Sequence, residues 1–478
     1  VQVIANPTGD INLLSAVQTA KGNETIFFVE NYNADFTAGI KKENTAAADL
    51  TELFNKPLNA TFGKDVNGVD IVGASDETVS VASKLRDCEK DYYLIDKTEA
   101  YGEVHENLIF GIPYIDCYRG TFSYDEDLFN RKSYFFMDDN GNIGASKNDE
   151  GATFGTGPDG VAGTADDGLP RTYAEFYKLC DTICRDNNTP ITFAGNWSGY
   201  LQDLMFSLKA QNQGSVQTKE LYNGQGTLND FIDKTTLGEE DTLENLVGVT
   251  QTYDASTYAK SYKTISEYAP VELMEKIFHP VGGRQYYMGA NNFTKSYTHL
   301  DAQADLILTK DYNSSQKDVA MTIDGTWWWN EASEAIKRYK NKTGFDANTT
   351  RNIKYMPLPK ANEAAWNRTK GENVAFSDYN TAIVEKNNLT GVKKLLSDMF
   401  ISFCCTNESL VEWNLSVQCP RGLSYTLSES DIEKLSIYGK SVYYLHSQHE
   451  SDNANENYST FNIVYNQFRE SIPFVIKS

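Results

Sequence analysis

The stretch that most restricts how this chain folds is Met321-Thr-Ile-Asp-Gly-Thr-Trp-Trp-Trp-Asn330, which holds three of the six tryptophans. Val319, Met321 and Ile323 alternate as in a short buried strand, and Gly325 breaks that strand into a turn. Ala332, Ala335, Ile336 and Tyr339 then recur at helical spacing, which predicts a helix from Glu331 to Lys340. Three adjacent indoles cannot all point one way in a strand or in a helix, so at least one faces a cleft or solvent. A strand that ends by presenting indole faces suits a flat apolar ligand ringed by hydroxyls. Sugars are such ligands: the C–H face stacks on aromatic rings while the hydroxyls need hydrogen bonds. The alternative is a core cluster, since Trp is usually well buried.

A chain of 478 residues is too long for one ordinary core and predicts two or three domains. Its 29 Tyr and 24 Phe fit a polar ligand gripped by aromatics. A net charge of −23 argues against nucleic acid, whose phosphates need a basic surface, and against docking on anionic lipid. The plainer meaning of that charge is solubility. No run of eighteen apolar residues occurs, so no transmembrane helix is expected. Val1 is not a natural start, and a segment before it is expected to have been removed or left out. The seven cysteines have no zinc-like spacing, Cys180 and Cys184 being four apart on one predicted helix, and read as buried free thiols suited to an exported protein of an anaerobe.

Further segments alternate between short strands and amphipathic helices. An apolar strand ends at Phe28-Val29 and leads to Asn31 and Tyr32; Leu108-Ile-Phe-Gly-Ile-Pro113 precedes Phe122-Ser-Tyr-Asp-Glu-Asp-Leu-Phe129. Thr172 with Glu175 reads as a capping box, opening a helix that buries Tyr173, Phe176, Tyr177, Cys180, Ile183 and Cys184. The strand Pro190–Gly195 follows, and Asn196-Trp-Ser-Gly-Tyr200 is the turn after it, with Trp197 a second stacking candidate. Leu389–Phe403 reads as a helix with Val392, Leu395, Leu396, Met399, Phe400 and Phe403 inward.

Residues 138–168 are rich in Gly, Asp and Asn. Hard oxygens on a Gly-bent loop are what calcium needs, and Asp159, Asp166 and Asp167 are the natural ligands, although the spacing is not that of an EF-hand. The same composition suits a solvated surface loop. A phosphate-cradling loop is disfavoured, because no Lys-Ser/Thr follows Gly155, Gly157 and Gly160.

These segments, by their order and spacing over roughly residues 20–430, resemble the extracellular solute-binding proteins that feed sugar-importing ABC transporters, the maltose-binding-protein type. The residues that carry the likeness are Gly325-x-Trp327-x-Trp329, Asp49-Leu-Thr51, Ile112-Pro113 with Tyr124–Phe129, Pro170-x-Thr172 through Phe176, Pro357-Leu-Pro359, Ala375–Val384, and Thr406 through Pro420. The resemblance implies an α/β, two-lobe periplasmic-binding-protein-like fold of type II, with a ligand cleft between lobes joined by hinge strands. Residues 1–118 with 357–415 would form the N-terminal lobe, its first strand and helix lying before Val1, and 119–356 with 416–478 the C-terminal lobe. It implies stacking on Trp327, Trp197 and Trp329, and polar contacts from Asn31, Tyr32, Asp324, Asn196 and Asp378. It further implies an oligosaccharide ligand, membrane permease subunits as partners, a monomer, no required cofactor, and a lipid-anchored extracellular or periplasmic location.

The rival readings are a glycoside hydrolase and a surface carbohydrate-binding adhesin, with a peptide importer behind them. With 66 Asp and Glu a carboxylate pair can always be invented, and none stands out at a strand end. His446 and His449 are a weak metal pair without a third ligand nearby. No Gly-x-Ser-x-Gly elbow occurs.

Overall fold

The computed structural model describes residues 17, 24–29, 46–86, 89–90, 93–96, 107–222, 224–279, 285–287, 290–308, 312, 317–377, 381–447 and 460–464. The strands that matter below are β1 (Ile26–Val29), β2 (Tyr118–Arg119), β3 (Thr121–Asp125), β4 (Thr189–Thr192), β5 (Val319–Asp324), β6 (Ile353–Met356), β7 (Asn373–Ser377) and β8 (Ala382–Glu385). The helices are α1 (Tyr173–Arg185), α2 (Ser198–Tyr222), α3 (His299–Ile307), α4 (Ser333–Thr343), α5 (Gly391–Cys404) and α6 (Ile437–Ser447).

β3, β4, β5 and β6 form one sheet in the order β6-β3-β5-β4. β5 is antiparallel to β3, with Met321 opposite Tyr124, and parallel to β4, with Met321 opposite Ile191. Every residue of β5 is buried, as expected for an interior strand covered on both faces. Because β4 and β5 run parallel, their C-terminal ends lie at the same edge of the sheet. In open α/β sheets that edge is where ligands bind.

Local chemistry explains the helices around the sheet. The Thr172 hydroxyl accepts from Glu175 N–H at 3.4 Å and caps α1. The Glu175 carboxylate does not complete the box; it accepts from Arg171 N–H at 2.7 Å and from the Arg171 guanidinium at 2.6 Å. Tyr173, Phe176, Cys180 and Ile183 are buried as expected, while Tyr177 and Cys184 are only partly so. α2 is broken at Gly214, whose φ of 81° favours glycine, and a Cβ there would stand 2.2 Å from Glu372 Oε1. The same carboxylate accepts from Ser215 N–H at 3.2 Å and from its hydroxyl at 2.6 Å, capping the second half of the helix.

Separate hydrophobic cores organise the chain. One holds Leu50, Phe54, Ile109, Ile112, Ile383, Ile401, Leu410, Leu423 and Leu435. Another gathers Phe122, Phe176, Ile191, Leu204, Met321, Met356, Leu358 and Ala365 under the four-stranded sheet. A third joins Val319, Trp328, Trp329, Ile336, Tyr339, Ile353, Tyr438 and Val442. Core membership follows burial rather than the expected boundaries: Leu358 and Ala365 sit with the sheet, and Leu423 to Leu435 with Leu50 and Phe54. The chain passes from the first core to the sheet between Ile112 and Tyr118, and β7 and β8 pair beside that passage. Ile112 is bridged to Ile383, and Tyr118 is paired with Ser377. α6 spans the cores as well, giving Tyr438 and Val442 to one and Tyr443 to another.

One helix is turned part-way from its sequence expectation: Phe400 packs against the first core and Leu395 and Met399 are half-buried, but the fully buried positions are others. On α5 the buried positions are Ser397, Ile401, Ser402 and Cys404, whereas Val392, Leu396 and Phe403 are exposed by 62%, 59% and 44%. The helix is apolar on most of its circumference, so periodicity alone did not single out the inward stripe. The six described cysteines are free thiols, five of them buried.

Candidate functional site

Trp327 and Trp197 stand on the turns that follow β5 and β4, at the shared edge of the sheet. Gly325 follows directly on β5 and its N–H donates to Asp324 Oδ1 at 2.7 Å, so the strand ends in a tight polar turn. Trp327 is partly buried and folds back on that turn: a Cβ on residue 325 would lie 2.0 Å from its ring. The Arg119 guanidinium, from β2, stands 5.7 Å from the Trp327 ring centroid. Trp197, just before α2, is 58% exposed. Its ring meets His299 edge to face at 6.5 Å, and Tyr200 lies 6.4 Å from the same imidazole.

Tyr200 joins the two turns, because the Trp327 indole N–H donates to its hydroxyl. Burial, and after it the negative charge of Asp324, Glu331 and Asp203, pushes the Tyr200 phenol far above its usual range, which keeps it a hydrogen-bond donor at any ordinary pH. Wholly buried Gln303 of α3 donates through Nε2 to Asp324 Oδ2 at 3.0 Å and to Glu331 Oε2 at 2.9 Å. Its Oε1 has no partner, and neither has the buried Oδ1 of Asn196. Burial raises the Asp324 carboxyl to about 8, despite the bonds from Gln303 and Gly325 that favour its charged form. Two indoles, a phenol and carboxylates thus share one rim, a set that grips an apolar ring face and accepts from the hydroxyls around it.

The remaining sequence candidates divide. Trp329 is 2% exposed and stacks on Tyr438 at 5.5 Å, so it offers no face to a ligand; it belongs to the core, as Trp328 does. Trp328 satisfies its indole N–H on Ser123 Oγ at 3.0 Å. Asn31, Tyr32 and Asp378 lie outside the described residues. His446 is buried against Asp116 Oδ2, where Arg86 also pairs with Asp116 at 2.9 Å; burial and the Arg86 charge hold its pKa below the usual histidine range. Its partner in the metal reading, His449, lies outside the described residues.

Asp159, Asp166 and Asp167 are not drawn around one point: among the described residues no three His, Cys, Asp or Glu side chains are placed to hold a metal ion. Asp166 accepts from Asp159 N–H at 3.0 Å, Thr164 Oγ1 at 2.6 Å and Asn373 Nδ2 at 3.0 Å. Asp167 Oδ2 is turned to Gly163 N–H at 2.7 Å. The part of the loop around Asp159 and Asp166 is therefore an internal polar network, anchored by the Trp366 indole N–H on Gly157 O at 3.0 Å, while Asp139, Asn140 and residues 148–151 of the same segment are exposed to solvent. Burial, with Asp166 alongside, raises the Asp159 carboxyl to about 8. A depression of about 370 Å³ lined by Arg171, Glu175, Lys178 and Glu363 lies apart from the tryptophan turns, and its guanidinium is already engaged by both glutamates.

Sequence reasoning passed over Tyr200, His299, Gln303, Glu331 and Arg119. Tyr200 had a signal, standing three residues after Trp197 at a helix start. Gln303 and Glu331 had none, since only packing brings α3 against the end of β5.

Among the described residues no helix is long and apolar enough to cross a membrane. The sequence matches no family model and no curated protein. Solved structures do match the fold. A chitin oligosaccharide binding protein superposes with a TM-score of 0.50 at 12% identity, over 95% of this chain and 77% of that one. A solute-binding protein in complex with raffinose gives 0.48 at 11% identity over 97% and 81%. A probable secreted solute-binding lipoprotein from Streptomyces coelicolor gives 0.47 at 10% over 94% and 77%. The chain has the two-lobe α/β fold of solute-binding proteins.

Proposed function

We propose that this protein is the extracellular binding component of an ABC importer and captures an oligosaccharide. The observation that supports it most is the pairing of Trp197 and Trp327 at one sheet edge, linked through Tyr200 and backed by Asp324 and Glu331. Indole faces would stack on sugar rings, and the carboxylates and amide oxygens would accept from their hydroxyls. The first core's residues would close on the ligand by bending at the passage from Ile112 to Tyr118, because only the closed form makes both sets of contacts. A membrane permease would read that closed form and take the sugar, with no bond broken in this chain. A lipid anchor or periplasmic location, and a monomeric state, go with this reading.

Titration calorimetry against malto-, xylo- and manno-oligosaccharides, with the sugars analysed afterwards, tests it. Saturable binding with the sugar intact is expected. Cleaved sugar would replace this reading with a glycoside hydrolase, and no binding to any saccharide would sink it.

A further inference from the structure

Of the acidic groups around Tyr200, Asp203 is paired with the Arg119 guanidinium at 3.2 Å, whereas among the described residues Glu331 has no lysine or arginine opposite it. Asp203, Asp324 and Glu331 all bear on the Tyr200 hydroxyl. Among the described residues neither Asp324 nor Glu331 forms an ion pair with a lysine or arginine; Glu331 meets only the His299 imidazole, at 3.9 Å. The Glu331 side chain is 36% exposed and so reaches the rim that Trp197 occupies. Behind it, Gln303 is held with its Nε2 on both carboxylates, which leaves its Oε1 open. The buried Asn196 Oδ1 is open too. The unmet groups at Gln303 and Asn196 are acceptors, and the exposed charge with no lysine or arginine opposite it is the Glu331 carboxylate.

A neutral sugar supplies hydroxyl donors to such a rim but no charge. A protonated amine supplies three donors and a positive charge, forms charge-assisted bonds roughly twice as strong as neutral ones, and is attracted by an indole or phenol face. Resting on the reading of this rim as a saccharide site, we propose that the ligand is an amine-bearing saccharide, its ammonium group held by Glu331 beside Trp197 and Tyr200. The net charge of −23 adds a long-range attraction for such a cation.

Calorimetry with three oligosaccharides of equal length tests this: one of glucosamine, one of N-acetylglucosamine, one of glucose, at a pH where the amine is protonated. The glucosamine oligomer is expected to bind about tenfold tighter than its N-acetylated counterpart. Glu331→Gln is expected to reduce that preference to about threefold or less. Salt provides a reading that needs no variant, since added salt is expected to weaken the glucosamine oligomer selectively. Equal or tighter binding of the acetylated or glucose oligomer overturns the amine while leaving the saccharide site standing. A folded Glu331→Gln protein that keeps the full preference overturns the role of Glu331. Binding by none of the three overturns the saccharide reading and this inference together.

Discussion

The ring of Trp327 lies so close to Gly325 that a Cβ on residue 325 would stand 2.0 Å from it. The indole is therefore held in place by the absence of a side chain two residues earlier. Gly325→Ala is expected to push the ring off its seat and to weaken ligand binding about as much as Trp327→Ala. That loss is about 1–3 kcal/mol from apolar burial and stacking, or roughly 5- to 150-fold in Kd. Calorimetry reads both variants, and wild-type affinity in a folded Trp327→Ala protein would remove this ring from the site.

Trp197 and Trp329 are expected to respond in opposite ways. Trp197 is 58% exposed, so its truncation to Ala is expected to lower affinity with little change in melting temperature. Trp329 is 2% exposed and packed on Tyr438, so Trp329→Ala is expected to cost about 3–5 kcal/mol of stability, as large-to-small core changes do. Denaturant unfolding of the two variants separates the roles; similar losses of stability would contradict the burial argument.

The raised carboxyls make stability fall as the medium becomes alkaline. Burial lifts Asp324 and Asp159 to about 8, and Asp166 is lifted too. The folded protein then keeps protons that an unfolded chain releases near about pH 4. The stability they contribute is full below that value, declines as pH rises, and is gone above the folded values. Thermal melts between about pH 6 and about pH 9 are expected to show a falling midpoint, less steep in Asp159→Asn. A flat or rising midpoint in the wild type would refute this.

Protons rather than a metal are expected to neutralise the loop of Asp159, Asp166 and Asp167. Calcium and a chelator should each shift the melting temperature by less than about 1 °C, since an ion bound only to the folded state would raise it. A saturable rise with calcium would show that the loop does gather around an ion.

Much of the fold was legible in the chain because its signals are local. The helix after the tryptophans begins within two residues of its expected start and buries Ala335, Ile336 and Tyr339 as its spacing required. Thr172 caps the helix it precedes, accepting from the N–H three positions on. The turns bearing Trp197 and Trp327 follow buried strands as the apolar runs and Gly325 indicated. The side-chain facing of α5 was only partly legible, because apolar residues surround it and only its neighbours select Ile401 and Cys404.

The sequence by itself determined that an apolar strand ends at Gly325 in three indoles, since strand period, helix period and the freedom of glycine act over a few residues. Only the tertiary structure decided which indole faces outward. Trp328 and Trp329 are taken into the core by Tyr438, more than a hundred residues away, leaving Trp327 against Gly325. The same holds for the acidic rim: Tyr200, His299, Gln303 and Glu331 meet because parallel β4 and β5 end at one edge and α3 packs beside it. Such a meeting depends on long-range packing, which leaves no periodic trace along the chain.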